Sequence, residues 1–113
     1  MFKVKVNGDD YRVRFIRPEI AGDKTKCTIC FITDNEDTVV GQGESHRNPL
    51  DIYDKGVGQR LALMDAVRYM LQTPNLHNPS DAPIANKFLE AHNTWITTNG
   101  VKTSIRLDSL IKV

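Results

Sequence analysis

The sequence predicts an α+β protein in which an antiparallel sheet of about five strands carries two helices on one face. Two observations indicate this class: apolar and polar residues alternate through the first third of the chain, and two stretches with helical periodicity follow. The 113 residues, 40% hydrophobic and 26% charged with a formal net charge of +1, have the size and composition of a single globular domain. The expected order of elements is ββββααβ.

The sheet is expected to begin with a hairpin. Residues 2–6 alternate apolar side chains with lysines, and the sequence N-G-D-D at residues 7–10 has the composition of a tight turn. The same alternation, interrupted by polar turns, predicts four strands at residues 2–6, 11–17, 25–33 and 38–44. Gly41 and Gly43 leave the fourth strand weakly packed, or bulged where something approaches its backbone.

Two amphipathic helices are expected after the strands. Asp54 is a suitable N-cap for a helix that runs to about Gln72, and Ser80 or Asp81 for a second helix that ends at Asn99-Gly100. The first helix is expected to bury Val57, Leu61, Met64, Val67, Met70 and Leu71. The second is expected to bury Ile84, Ala85, Phe88, Leu89, Trp95 and Ile96. A last strand is predicted from the alternation of Val101, Thr103, Ile105 and Leu107.

The two cysteines, Cys27 and Cys30, form a C-x-x-C pair, a spacing found in redox sites and in halves of zinc sites. Here the pair lies within a predicted strand, where positions three apart point to opposite faces. The sequence contains no second C-x-x-C or H-x3-H, and its three histidines lack ligand spacing. We therefore expect two thiols packed as small hydrophobic groups, no metal, no cofactor, and a reducing, cytoplasmic location.

A basic face is expected on the hairpin. Its cationic residues fall on one side if the strands pair in simple register, and they are Lys3, Lys5, Arg12 and Arg14. Such a stripe can hold phosphates or an acidic partner. It can equally be a solvated face that keeps an edge strand from aggregating, and the sequence leaves both interpretations open.

A second candidate site is the start of the first helix, where Gly56 and Gly58 occur against helical propensity. Unpaired N–H groups and the positive end of the helix dipole attract anions there. The residues expected around an anionic ligand are His46, Arg47, Lys55, Gly56, Gly58, Arg60 and Arg68. The alternative is that the glycines allow the helix to pack closely on the sheet.

Arg60 falls at the centre of the predicted apolar stripe of the first helix, where a guanidinium needs a partner. Either it holds the anionic ligand or it pairs internally with Asp51 or Asp54. The sequence shows no arrangement of nucleophile, base and acid, so we do not expect an enzyme.

The stretch from residue 40 to residue 71 resembles small proteins of tailed phages, in which a strand ending in Gly leads through an Asp-bearing loop to a helix that begins Gly-Arg. The matching residues are Gly41, Gly43, Asp51, Gly58, Arg60, Ala62, Leu63 and Ala66, with Gln59 inserted between Gly and Arg. Some small phage proteins of this plan resemble anti-defence sponges, which bind cyclic nucleotide signals between protomers of an oligomer. The resemblance implies a non-enzymatic homo-oligomer in the host cytoplasm that binds a nucleotide signal or a host defence protein.

The same stretch is also similar to the C-terminal half of a double-stranded-RNA-binding domain, in which a G-x-G strand precedes a loop and an Ala-rich helix. That family needs a lysine-rich start to the helix, whereas this sequence has D-K-G-V-G at residues 54–58. RNA binding is therefore the alternative function. A membrane partner is not expected, because no apolar run approaches the roughly 18 residues of a spanning helix.

Overall fold

The computed structural model describes residues 1–18, 27–46, 54–72 and 82–104. In chain order, its elements are β1 (Phe2–Val6), β2 (Asp9–Ile16), β3 (Cys27–Thr33), β4 (Val39–His46), α1 (Lys55–Leu71) and α2 (Ala82–Asn99). This confirms the α+β class. Within the described ranges the sheet has four strands instead of about five, since residues 101–104 are not in a strand. Ile105 and Leu107 of the expected fifth strand lie outside the described residues. The expected caps of α2, Ser80 and Asp81, also lie outside them.

The strands form an antiparallel meander in the order β1-β2-β3-β4. Val6 and Asp9 close the first hairpin around a two-residue loop, so the hairpin is as predicted but its turn is shorter than the expected residues 7–10. Asn7 and Gly8 occupy this loop with φ of 52° and 87°. Two positive φ values in a row are what a type I′ turn requires, and Asn-Gly adopts them with the least strain.

Both helices cover the same face of the sheet. Helix α1 packs on β3 and β4, α2 packs on β1, and the two helices contact each other. The core between these layers contains Val4, Val6, Val13, Cys30, Ile32, Ala62, Leu63, Ala66, Val67, Ala82, Ala85, Phe88 and Leu89. Alternation along each strand therefore leaves the other face of the sheet uncovered by described helices.

The glycines of β4 are explained by the closeness of α1. A Cβ atom at Gly43 would lie 2.5 Å from the carbonyl oxygen of Ala62, and one at Gly41 would lie 2.7 Å from that of Ala66. Neither position has room for a side chain. What approaches the backbone of this strand is the backbone of a helix.

Helix α1 has the predicted ends but a different buried face. Asp54 caps it by accepting the N–H of Val57 at 2.9 Å, and Gln72 ends it in a left-handed conformation. Leu61, expected in the core, is 53% exposed, whereas Gln59 and Arg60 are buried. Close contact with the glycines of β4 favours the small-residue side of α1, and this rotates the bulky Leu61 into solvent.

Helix α2 buries most of its predicted stripe and ends, as expected, at Asn99, followed by Gly100 with φ of 62°. Phe88 and Leu89 lie in the core, but Trp95 is only half-buried. The stripe also contains His92, which is completely buried.

Candidate functional site

The sheet face turned away from the helices, here called the open face, carries the predicted basic residues. Lys3 and Arg12 are direct cross-strand partners, and the core-facing positions alternate with them along β1 and β2. Lys5 and Arg14 therefore share this face. The simple register on which the prediction depended is the one observed.

The middle of the open face is apolar. Phe31 on β3 lies between Arg14 on β2 and Gln42 on β4, and the next row of the sheet places Ile29 between Ile16 and Glu44. Phe31 and Ile29 are half-buried, and Ile16 is 44% exposed. The open face thus has cations on the β1–β2 side and uncovered apolar side chains at its centre.

The charges of the open face are only partly compensated. Arg12 forms an exposed ion pair with Asp37, with Nη1 3.3 Å from Oδ1, and Asp10 is the cross-strand partner of Lys5 at the hairpin tip. Within the described ranges, no carboxylate oxygen lies within 4.0 Å of a side-chain nitrogen of Lys3 or Arg14. One of these two cations, Arg14, lies directly beside Phe31.

The start of α1, the other predicted site, is closed by the chain itself. The carboxylate of Asp54 accepts the N–H of Val57, and its Oδ2 accepts the N–H and hydroxyl of Ser104 at 2.7 and 2.8 Å. Although burial acts to raise it, these hydrogen bonds hold the pKa of Asp54 below its ordinary value. A carboxylate already occupies the position that an anion would take at this helix end.

The glycines at the start of α1 are packing positions. A Cβ atom at Gly56 would overlap the side chain of Thr103, and one at Gly58 would lie 3.2 Å from the hydroxyl oxygen of Thr28. The hydroxyl of Ser45 also donates a hydrogen bond to the carbonyl of Gly58 at 2.7 Å. At Gly58 this geometry matches the second of the two sequence interpretations, close contact between helix and sheet, whereas Gly56 packs against the segment that follows α2.

The remaining predicted ligand-binding residues are dispersed. Lys55 is exposed at the start of α1, and His46 is exposed at the end of β4 on the open face. Arg68 is farther along α1, 3.7 Å from Asp65, and lines a groove of about 530 Å³ between β4 and that end of the helix. Arg47 lies outside the described residues.

Arg60 points to α2 instead of the helix start. Its Nε donates to Nδ1 of His92 at 3.0 Å, and Nη2 donates to Oδ1 of Asn93. Asp54, one of its two predicted partners, is bonded to Val57 and Ser104 instead, and Asp51 lies outside the described residues. Arg60 is 7% exposed, and burial lowers the pKa of its guanidinium.

His92 is enclosed on several sides by aromatic rings. Its ring centroid lies 5.4 Å from that of Phe15 and 6.0 Å from that of Phe2, and Nε2 is 3.2 Å from Oε1 of Gln59. Because a guanidinium nitrogen can only donate, Nδ1 accepts and the proton is on Nε2, so the ring is neutral. Burial and the positive charge of Arg60 lower the pKa of His92 to about 3.

This buried network was missed by sequence reasoning, although a signal for it exists. His92 continues the stripe of α2 at helical spacing from Phe88, Leu89 and Ile96, so periodicity alone places it in the core. Its neutral ring and hydrogen-bonded arginine join α1 to α2. We interpret the network as a structural connection between the helices.

Comparisons of the chain with protein-family models, with curated proteins and with solved structures find no match. Neither helix in the described part of the chain is long and apolar enough to cross a bilayer. Fold and site together define a small α+β protein with helices on one face of its sheet and a basic, partly apolar open face on the other.

Proposed function

We propose that this protein acts by binding and not by catalysis, and that its open face covers an acidic surface on a partner protein. One observation carries the proposal: Arg14 lies directly beside the half-buried Phe31 and on the same face as Ile16, which is the cross-strand partner of Ile29. Protein interfaces combine an apolar centre with a polar rim and are enriched in arginine and aromatic residues. The charge of this face selects a partner of opposite sign.

The shape of the open face favours a protein surface over a nucleotide signal. Small ligands bind in concave pockets that enclose most of their surface. The four cations of the basic face instead lie along two neighbouring strands of a sheet. In keeping with the resemblance to small tailed-phage proteins, the partner class that we propose is a host defence protein, which the chain would inhibit by occlusion.

RNA binding is the second candidate, and one observation favours it. Phe31 lies beside Arg14 on the open face, and an aromatic ring next to a cation can stack a nucleic-acid base. RNA-binding sheets stack two or three bases on aromatic residues. On the described strands, Phe31 is the aromatic residue of this face, whereas Phe2, Tyr11 and Phe15 pack against the core. A protein surface is therefore the better match.

The test is site-specific photocrosslinking in a bacterial extract that contains the phage's host proteins. A benzophenone amino acid replaces Phe31, and a matched probe replaces Tyr69, which is 65% exposed on α1. We expect a discrete protein adduct from position 31 and none from position 69. In the double variant Arg12→Glu/Arg14→Glu, the yield of the adduct from position 31 should fall at least tenfold. The control variant Lys87→Glu/Lys102→Glu reverses two exposed charges elsewhere and should leave this yield unchanged.

Each other outcome overturns the proposal. Adducts to nucleic acid at position 31 would establish the RNA alternative. Equal adducts from both positions, or an adduct insensitive to the Arg12→Glu/Arg14→Glu change, would show that the open face is not a specific interface. Far-ultraviolet circular dichroism of each variant confirms that the fold is intact before crosslinking.

A further inference from the structure

We infer that Cys27, Glu44 and His46 form a binding site for a zinc ion at the end of the open face. The thiol, carboxylate and imidazole donor atoms of these residues all lie within 4.8 Å of one another. Cys27 and His46 are direct cross-strand partners on β3 and β4, and Glu44 is two residues before His46 on the same face. Three different metal-binding groups therefore converge from two paired strands.

The mixture of donors selects the class of metal. Zn²⁺ is bound by cysteine sulfur, histidine nitrogen and carboxylate oxygen, whereas Mg²⁺ and Ca²⁺ prefer oxygen alone. The zinc–ligand distances place donor atoms of one tetrahedral site roughly 3–4 Å apart. Nε2 of His46 is already 3.4 Å from Oε2 of Glu44. A sulfur, nitrogen and oxygen set at this spacing is typical of zinc.

Exposure lets the donors close around an ion. The side chains of His46 and Glu44 are 59% and 57% exposed, so their rotation meets little packing, and Cys27 is half-buried beside them. Three protein ligands leave the fourth zinc position open to water or to an added ligand, the arrangement found in zinc sites that bind a substrate. On binding, the Cys27 thiol gives its proton to solvent and coordinates as the thiolate.

This proposal departs from the sequence expectation of no metal, which was based on the spacing of cysteines and histidines along the chain. In the structure Cys30 is buried in the core and takes no part. The strand register instead brings Cys27 to Glu44 and His46, which are distant in sequence. The zinc site uses none of the residues that carry the proposed interface, so either proposal can fail without the other.

Cobalt(II) is the spectroscopic probe for this site. We titrate the full, tag-free chain with Co²⁺ under reducing conditions and record the thiolate-to-cobalt charge-transfer band and the visible bands of tetrahedral cobalt. We expect one Co²⁺ per chain, displaced by an equivalent of Zn²⁺. Cys27→Ser should abolish the charge-transfer band, and His46→Ala and Glu44→Gln should each weaken binding at least tenfold.

Matched controls separate this site from other donors. Cys30→Ala removes the core thiol and should keep the charge-transfer band, and Glu36→Gln removes an exposed carboxylate of the β3–β4 turn and should keep the affinity. No thiolate band, a band that survives Cys27→Ser, or one metal for every two chains would overturn the site. Because Cys27, Glu44 and His46 do not lie in the core, their variants are expected to fold, and circular dichroism checks this.

Discussion

Between the two helices, the charged guanidinium of Arg60 donates a hydrogen bond to the neutral imidazole of His92. Nε of the arginine lies 3.0 Å from Nδ1 of the histidine, and both side chains are buried. The contact uses the lone pair of a neutral imidazole. Protonating His92 would break the hydrogen bond and place two cations side by side without a described carboxylate between them. We therefore expect the stability of the packing between α1 and α2 to depend on pH.

The first prediction is a loss of stability in mild acid. The pKa of His92 is about 3 in the folded chain against an ordinary 6.5, so below about pH 6.5 only the unfolded chain takes up this proton. The free energy of unfolding should be unaffected by His92 above that pH and should fall as the pH drops towards 3. The loss approaches about 1.4 kcal/mol per pH unit. Urea denaturation between about pH 7 and 5, above the range where most carboxylates titrate, measures it.

His92→Gln, which cannot be protonated in this range, should flatten the pH dependence. An unchanged slope in His92→Gln would assign the acid sensitivity to other groups.

The second prediction is energetic coupling between Arg60 and His92. Arg60→Ala leaves the buried Nδ1 of His92 and the amide oxygen of Asn93 without this donor, and we expect a loss of about 1–3 kcal/mol in the free energy of unfolding. In Arg60→Ala/His92→Leu the loss should be smaller than the sum of the two single losses, by about 0.5–3 kcal/mol. Additive losses in this double-mutant cycle would contradict the hydrogen bond.

The third prediction concerns the contact of α1 with β4. Gly43→Ala places a methyl group 2.5 Å from the carbonyl oxygen of Ala62, so the helix must move away from the strand. We expect a loss of about 1–3 kcal/mol, or more if the helix cannot adjust. The comparison is Gly58→Ala, where the nearest atom is a side-chain hydroxyl at 3.2 Å and alanine favours the helix by about 1 kcal/mol. The midpoint temperature of thermal unfolding should be much lower for Gly43→Ala than for Gly58→Ala. Equal midpoint temperatures would show that α1 does not pack closely on Gly43.

The fourth prediction distinguishes the two thiols. Burial raises the pKa of Cys30 to about 12, and its side chain is fully enclosed, whereas Cys27 is half-buried on the other face of β3. Because the thiolate is the reactive form, iodoacetamide should alkylate Cys27 at least tenfold faster than Cys30 in the native state. Peptide mass spectrometry over time gives both rates. Equal rates would place both sulfurs at the surface.

Several features were determined by sequence alone because their causes are local. The turn between β1 and β2 depends on two adjacent residues, Asn7 and Gly8, that tolerate positive φ. The start of α1 depends on Asp54 accepting an N–H three residues later. Alternation of period two then separates the basic residues of the hairpin from its core residues. Such contacts lie within a few residues, so their residue types are sufficient to predict them.

Only the tertiary structure determined the features that depend on contacts between residues far apart in the chain. The rotation of α1, which exposes Leu61 and buries Arg60, follows from the glycines of β4, and periodicity within the helix contains no information about them. The partner of Arg60 is on α2 because the two helices lie side by side on the sheet. The approach of Cys27 to His46 follows from the register of β3 with β4. Each of these contacts becomes defined only when separate elements pack together.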